Sequence, residues 1–131
     1  MDKKDRAILD ELKQNSRQSW KEIGKKVFLS GQAVGARIQE LKDRHIINKF
    51  TIKENYPSEQ FITIYMDCNR FELFESRIHT FPQVISFYKI TGDGCYFIHS
   101  HFNANELDVF LQLIAQFGRY KVSHGLKALI S

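Results

Sequence analysis

Apolar residues recur at helical spacing through the first third of the chain and in shorter, denser runs beyond it. In residues 5–13, Ile8, Leu9 and Leu12 fall on one stripe, with an acid early and a lysine late, the order the helix dipole favours. Asn15 and Ser16 break the pattern. Ser19 with Glu22 three residues on forms a capping box, predicting a second helix with Trp20, Ile23 and Val27 inward and Lys21, Lys25 and Lys26 outward. Phe28 and Leu29 make a short turn. Ser30 then caps a third helix, about residues 31–44, that buries Val34, Ile38 and Leu41 and exposes Gln32, Arg37, Gln39, Lys42 and Arg44. The β-branched and aromatic run from Ile46 to Ile52 predicts a strand, a wing beside the helices. Three short helices, the last two joined by a tight turn, are a helix-turn-helix arrangement, in which two packed helices hold the third rigidly enough to enter the major groove.

A polar, proline-containing linker at residues 54–59 leads to a different rhythm. Strands are predicted at 60–68, 84–91, 95–102 and 119–130. Between them run one helix with Phe71, Phe74, Ile78 and Phe81 inward and another with Leu107, Phe110, Leu111, Ile114 and Phe117 inward. Asn69 with Glu72 and Asn103 with Glu106 provide matching caps, and Asp93-Gly94 marks the hairpin. The order is a ferredoxin-like βαββαβ, so the whole chain is expected to be α+β: residues 1–53 a winged helix-turn-helix domain, 60–131 an oligomerisation and sensing domain. The runs from Phe61 to Met66 and from Cys95 to Ile98 are apolar at successive positions, whereas a sheet covered on one face should alternate. A second subunit is the expected cover, giving a homodimer. The same topology is expected to bring Cys68, ending the first strand, beside Cys95, opening the third.

Charge sharpens this division. Residues 1–53 carry 13 Lys and Arg against 7 Asp and Glu, a net of +6, whereas residues 54–131 carry a net of −2. A basic head on a mildly acidic body suits a polyanion partner, double-stranded DNA above all. Residues 1–6 lack the apolar core of a signal peptide and the chain holds no apolar run of about 18 residues; a cytoplasmic, nucleoid-associated protein that does not engage membranes is expected. His99 and His101 lie two apart on one strand, but no Cys, Asp or Glu cluster completes a metal site. No phosphate-binding glycine loop or nucleophile elbow is present. Neither catalysis nor a cofactor is expected.

Asp5-Arg6 with Ile8-Leu9, Asn15-Ser16-Arg17, Ile23-Gly24, Leu29-Ser30, Val34 with Arg37-Ile38 and Leu41, and the Ile46-Ile47-x-x-Phe50-Thr51 run resemble the N-terminal signature of the Lrp/AsnC (leucine-responsive, feast/famine) transcription regulators. In the second half, Phe81-Pro82-x-Val84 and the segment from Ile90 to Tyr96 resemble the same family. The resemblance implies a bacterial, sequence-specific DNA-binding regulator. It would act as a dimer, tetramer or octamer and answer to an amino acid or similar small molecule at Thr91, Gly92, Asp93, Gly94 and Cys95. Lys21, Lys25, Lys26, Ser30, Gln32, Ala33, Ala36, Arg37 and Gln39 are the residues expected at DNA. The chain also departs from the family: Gly31 stands where a proline is usual, Gly94 and Cys95 where an aromatic and an aspartate are, and His45 where a glycine ends the helix. Arg37 is either a DNA contact or the partner of an acid in the first helix. The glycine hairpin either holds a ligand or is a plain turn. Gly35 inside a helix suggests a close approach to something. Short side chains at 31, 33, 35 and 36 keep open an architectural protein that bends or wraps DNA, and a metabolite-binding module with a protein-binding head is the third reading.

Overall fold

A computed structural model describes all 131 residues, in two compact units, Met1–Lys53 and Glu54–Ser131. The first contains α1 (Lys3–Gln14), α2 (Trp20–Val27) and α3 (Gly31–Asp43). Ile8, Ile23, Val27, Val34 and Ile38 are buried as its core, with Leu12, Leu29 and Ile47 packed against it. Side-chain caps open all three helices of this unit: Asp2 accepts from the Asp5 amide, Ser19 from Glu22 and Ser30 from Ala33. Two helix ends use left-handed residues that are not glycine. His45 (φ 58°) closes α3 as a Schellman motif, the Ile46 amide reaching Leu41 O and the His45 amide Lys42 O. Phe28 (φ 62°) closes α2; this conformation costs about 1–2 kcal/mol for a residue with a Cβ.

The second unit is β1 (Gln60–Met66), α4 (Phe71–Ile78), β2 (Val84–Lys89), β3 (Tyr96–Ser100), α5 (Ala104–Ala115) and β4 (Gly118–His124). The sheet runs β2-β3-β1-β4, antiparallel throughout, which is the expected βαββαβ fold. Ile62, Ile64, Tyr96 and Ile98 face α4 and α5, whose Phe74, Ile78, Leu107, Phe110 and Ile114 complete the core. Gln60 is the one long polar side chain inside, and it is fully engaged: Nε2 donates to Phe102 O while Oε1 accepts from Ser100 Oγ and the Phe102 amide. Residues 54–59 carry no helix or strand, but Tyr56 stacks on His101 at 3.7 Å, Ser58 donates to Phe102 O, and Glu59 lies 2.9 Å from His99. Both histidines considered as a metal pair are therefore occupied in other ways.

Several expectations are corrected. Residues 46–52 form no strand; β propensity needs a ladder partner, and this unit has no other strand. The last strand ends at His124, leaving Leu126, Leu129 and Ile130 almost fully exposed. Asn69 does not cap α4, which starts one residue later behind Arg70, whose guanidinium donates to Gln116 O instead. Trp20 is about half exposed rather than core. Cys68 and Cys95 are free thiols but not cross-strand partners: the register pairs Ile64 with Tyr96, which sets Cys95 opposite Tyr65, three residues short of Cys68. At about 3.4 Å of rise per residue, that offset alone is about 10 Å.

Candidate nucleic-acid interface and sensing hairpin

The α2–α3 pair depends on close approach. A methyl group at Gly24 would run into the carbonyl oxygen of Leu29, and one at Gly35 into the Trp20 ring. Gly35 thus leaves room for the indole, which lies against α3 about half exposed, and not in the core as expected. Ser30 and Gly31 then start α3, Ser30 capping the Ala33 amide, and a helix N-terminus is the end that suits a phosphate.

The solvent strip of α3 carries Gln32, Ala36, Gln39 and Asp43, all exposed, with Glu40 beside it. No cation lies on that strip. Gln39 is tied to Asp43 at 3.0 Å, leaving Gln32 as the unengaged amide on it. Arg37 is turned aside. Its Nη1 donates to Asp2 Oδ2 at 2.7 Å and to Asp5 Oδ1 at 3.1 Å. The hydrogen bond from Arg37, with that from the Asp5 amide, holds the Asp2 carboxyl below its ordinary range, and the guanidinium is pushed up in return. Of the two roles open to Arg37, the structure displays the pairing with the first helix. Asp2 escaped the sequence reading because only a fold brings positions 35 apart together.

The α2 lysines differ among themselves. Lys21 and Lys25 are exposed. Lys26 is drawn to Glu11 at 3.3 Å and Gln18 Oε1 at 2.9 Å, with Gln18 buried and donating to Glu11 O. Ser30 is exposed although its hydroxyl is used in capping, Ala33 is half-buried and Ala36 exposed. The structure thus brings Lys21, Lys25, Ser30, Gln32 and Ala36 onto one helical pair, and engages Lys26 and Arg37 elsewhere in the unit.

Both parts of the chain match families of known function. The AsnC-type helix-turn-helix domain matches residues 1–42, and the Lrp/AsnC ligand binding domain matches residues 59–128. LrpA of Bacillus subtilis, an HTH-type transcriptional regulator, is 37% identical over 130 residues, 94% of this chain and 96% of that one. The chain belongs to the Lrp/AsnC family. It is a DNA-binding transcription regulator. LrpB of the same organism is 29% identical over 97% of this chain and 89% of its own. Among solved structures, LrpC of B. subtilis superposes with a TM-score of 0.90 at 24% identity, covering 100% of this chain and 98% of that one. The feast or famine regulatory protein of M. tuberculosis, complexed with L-methionine, gives 0.87 at 22% identity over 99% and 95%. No helix is long and apolar enough to cross a membrane.

In this Lrp/AsnC chain the hairpin joining β2 to β3 carries Thr91, Gly92 and Asp93 exposed and Gly94 and Cys95 half-buried. Gly92 and Gly94 both have φ near +106°, a conformation glycine adopts freely. At Gly94 a side chain would also meet the Thr63 methyl at 2.5 Å. Asp93 accepts from the Tyr65 hydroxyl at 3.0 Å, and the Cys95 amide donates to Ile64 O at 2.8 Å, so the hairpin is anchored to β1. Just below it, Tyr96 donates to Glu75 of α4, which also meets Lys89 at 3.2 Å; the two partners lower the Glu75 carboxyl, and burial raises the Tyr96 phenol.

Proposed function

We propose that this regulator binds its operator as a homodimer, reads bases with Gln32 on α3, holds phosphates with Lys21, Lys25 and the Ser30 end of α3, and takes an amino-acid-like effector at Thr91–Cys95. The single observation that carries the DNA assignment is the exposed strip of α3 with Gln32 unengaged beside two free lysines of α2. Dimerisation is supported by the uncovered sheet face. Phe61, Tyr65, Tyr88 and Phe97 lie there with Thr63 and His99, Tyr88 more than half exposed and Phe61 36%. An aromatic surface of this kind on a soluble chain calls for a cover, and a twofold pairing of identical faces supplies one. The effector assignment is supported by the anchored glycine hairpin, whose backbone amides and Asp93 carboxylate suit the two charged ends of an α-amino acid. Two regulators of the same fold, from M. tuberculosis and Neisseria meningitidis, are known as complexes with L-methionine.

The deciding experiment selects bound genomic fragments with and without pooled amino acids, then titrates the selected duplex and a random duplex against salt. A specific-to-random ratio well above unity, moved by an amino acid, supports the reading; equal affinities overturn it. Equal affinities would favour an architectural protein, for which the short Ala33 and Ala36 side chains are the specific argument, since they offer bases little hydrogen bonding.

A further inference from the structure

We propose that Phe28 is a DNA contact, an apolar ring laid against the sugar face of the duplex backbone next to the phosphates gathered by α2; this rests on the DNA-binding reading above. Phe28 is the most exposed aromatic side chain of the chain, 84% accessible, and it occupies a left-handed backbone position, φ 62°. Both features work against a phenylalanine: a glycine would close α2 without strain, and a polar residue would leave no bare ring in water. A bulky residue at positive φ is uncommon and, where nothing in the fold requires it, points to a role outside the fold. The neighbourhood indicates the partner. The Lys4 ammonium sits over the ring at 5.4 Å and is held there by Val27 O, Lys25 is exposed one turn earlier on α2, and Ser30 opens the recognition helix two residues later. A ring with an ammonium seated on one face is poorly suited to a greasy protein groove. It is well suited to DNA, where each apolar deoxyribose lies between two phosphates.

The test compares Phe28→Gly, Phe28→Ala and Phe28→Tyr in the full chain, measuring thermal unfolding and affinity for a selected duplex across a salt series. Phe28→Gly should unfold at a temperature equal to or above wild type, since it removes the strained residue. Its affinity should nevertheless fall, by roughly 10- to 30-fold for loss of a Phe-sized apolar contact. Because no phosphate is released, the slope of log affinity against log salt should not change, whereas Lys25→Ala should flatten it by about 0.9. Phe28→Ala should lose affinity to the same extent without the gain in stability, and Phe28→Tyr should bind as wild type does. Undiminished DNA affinity in Phe28→Gly overturns the proposal, as does a loss that tracks a lowered unfolding temperature, which would make the ring part of the fold. Failure of the wild-type protein to bind any duplex would instead refute the DNA reading on which the proposal stands.

Discussion

Gly24→Ala exchanges a poor helix former for the best one, and on propensity alone should stabilise α2 by about 1 kcal/mol. The structure predicts the opposite. The added methyl would collide with the carbonyl oxygen of Leu29 and come within 3.3 Å of the carbonyl carbons of Leu29 and Ser30. These are backbone atoms, and they are fixed from several sides: the Leu29 amide donates to Gly24 O at 3.0 Å, Phe28 is locked left-handed, and Ser30 is already committed to capping α3. Relief requires the turn to move and α3 with it. Overpacking of this kind costs about 1–3 kcal/mol, and weakening the turn hydrogen bond adds about 1 kcal/mol. After the propensity gain, a net loss of about 1–3 kcal/mol remains. For a unit of 53 residues that lowers the midpoint by roughly 8–25 °C. Trp20 is the only tryptophan and lies between α2 and α3, so its fluorescence follows this unit and not the sheet. Gly35→Ala is the matched control: its obstacle is the half-exposed Trp20 ring, which can swing away, so stability should change little while the emission shifts. An unchanged or raised midpoint in Gly24→Ala would refute the close-approach argument.

Four further outcomes are expected. Arg37 holds the Asp2 carboxyl below its unfolded value near 3.9, so this pairing contributes fully above that pH and is lost as pH falls through the folded value; a urea midpoint series between pH 5 and pH 2 should flatten in Arg37→Met. Gln32→Ala should lower the ratio of specific to random DNA affinity, whereas Lys25→Ala should weaken both alike, as competition binding will show. Phe97→Asp places a carboxylate on the aromatic sheet face and should shift the sedimenting species toward the monomer; an unaltered dimer would move the interface elsewhere. Asp93→Ala should weaken the response of DNA binding to the effector amino acid by about 10-fold or more, the loss of one charge-assisted hydrogen bond; an undiminished response would remove the hairpin from the sensing role.

What the sequence made legible was whatever depends on neighbours within a few positions. Ser30 and Asn103 cap their helices as read, because a cap and the amide it satisfies lie three residues apart. Ser19 caps α2 too, but its box stays open because the Glu22 carboxylate takes the Ser19 hydroxyl and not the backbone amide. The stripes of Val34, Ile38 and Leu41 and of Phe74 and Ile78 are buried as spaced. Readings failed where a partner decides the outcome. Residues 46–52 have the composition of a strand and nothing to pair with. Asn69 lost its capping role to a one-residue shift of the helix start, and the residue at the cap, Arg70, bonds to Gln116 O, 46 positions away. Trp20 fell on the inward stripe of α2, but its ring lies against Gly35 of α3 and stays about half exposed, a placement that only a glycine 15 positions away makes room for. Within the proposed DNA site the residue types were visible and their partners only in part. Lys26 looks like a free cation in the sequence and Glu11 claims it only once the helices are packed, whereas for Arg37 the pairing with an acid is one of two readings and the packing of Asp2 and Asp5 decides for it.

The strip of α3 that carries no cation has an evolutionary consequence. On the proposed reading, the charged grip on the duplex rests chiefly on Lys21 and Lys25 of α2 and the reading of bases on Gln32 of α3, so substitutions at Gln32 or Ala36 would alter which sequence is preferred without loosening the hold on DNA in general. A lineage of such regulators would then exchange one target for another in single steps, each intermediate keeping its charged hold on DNA.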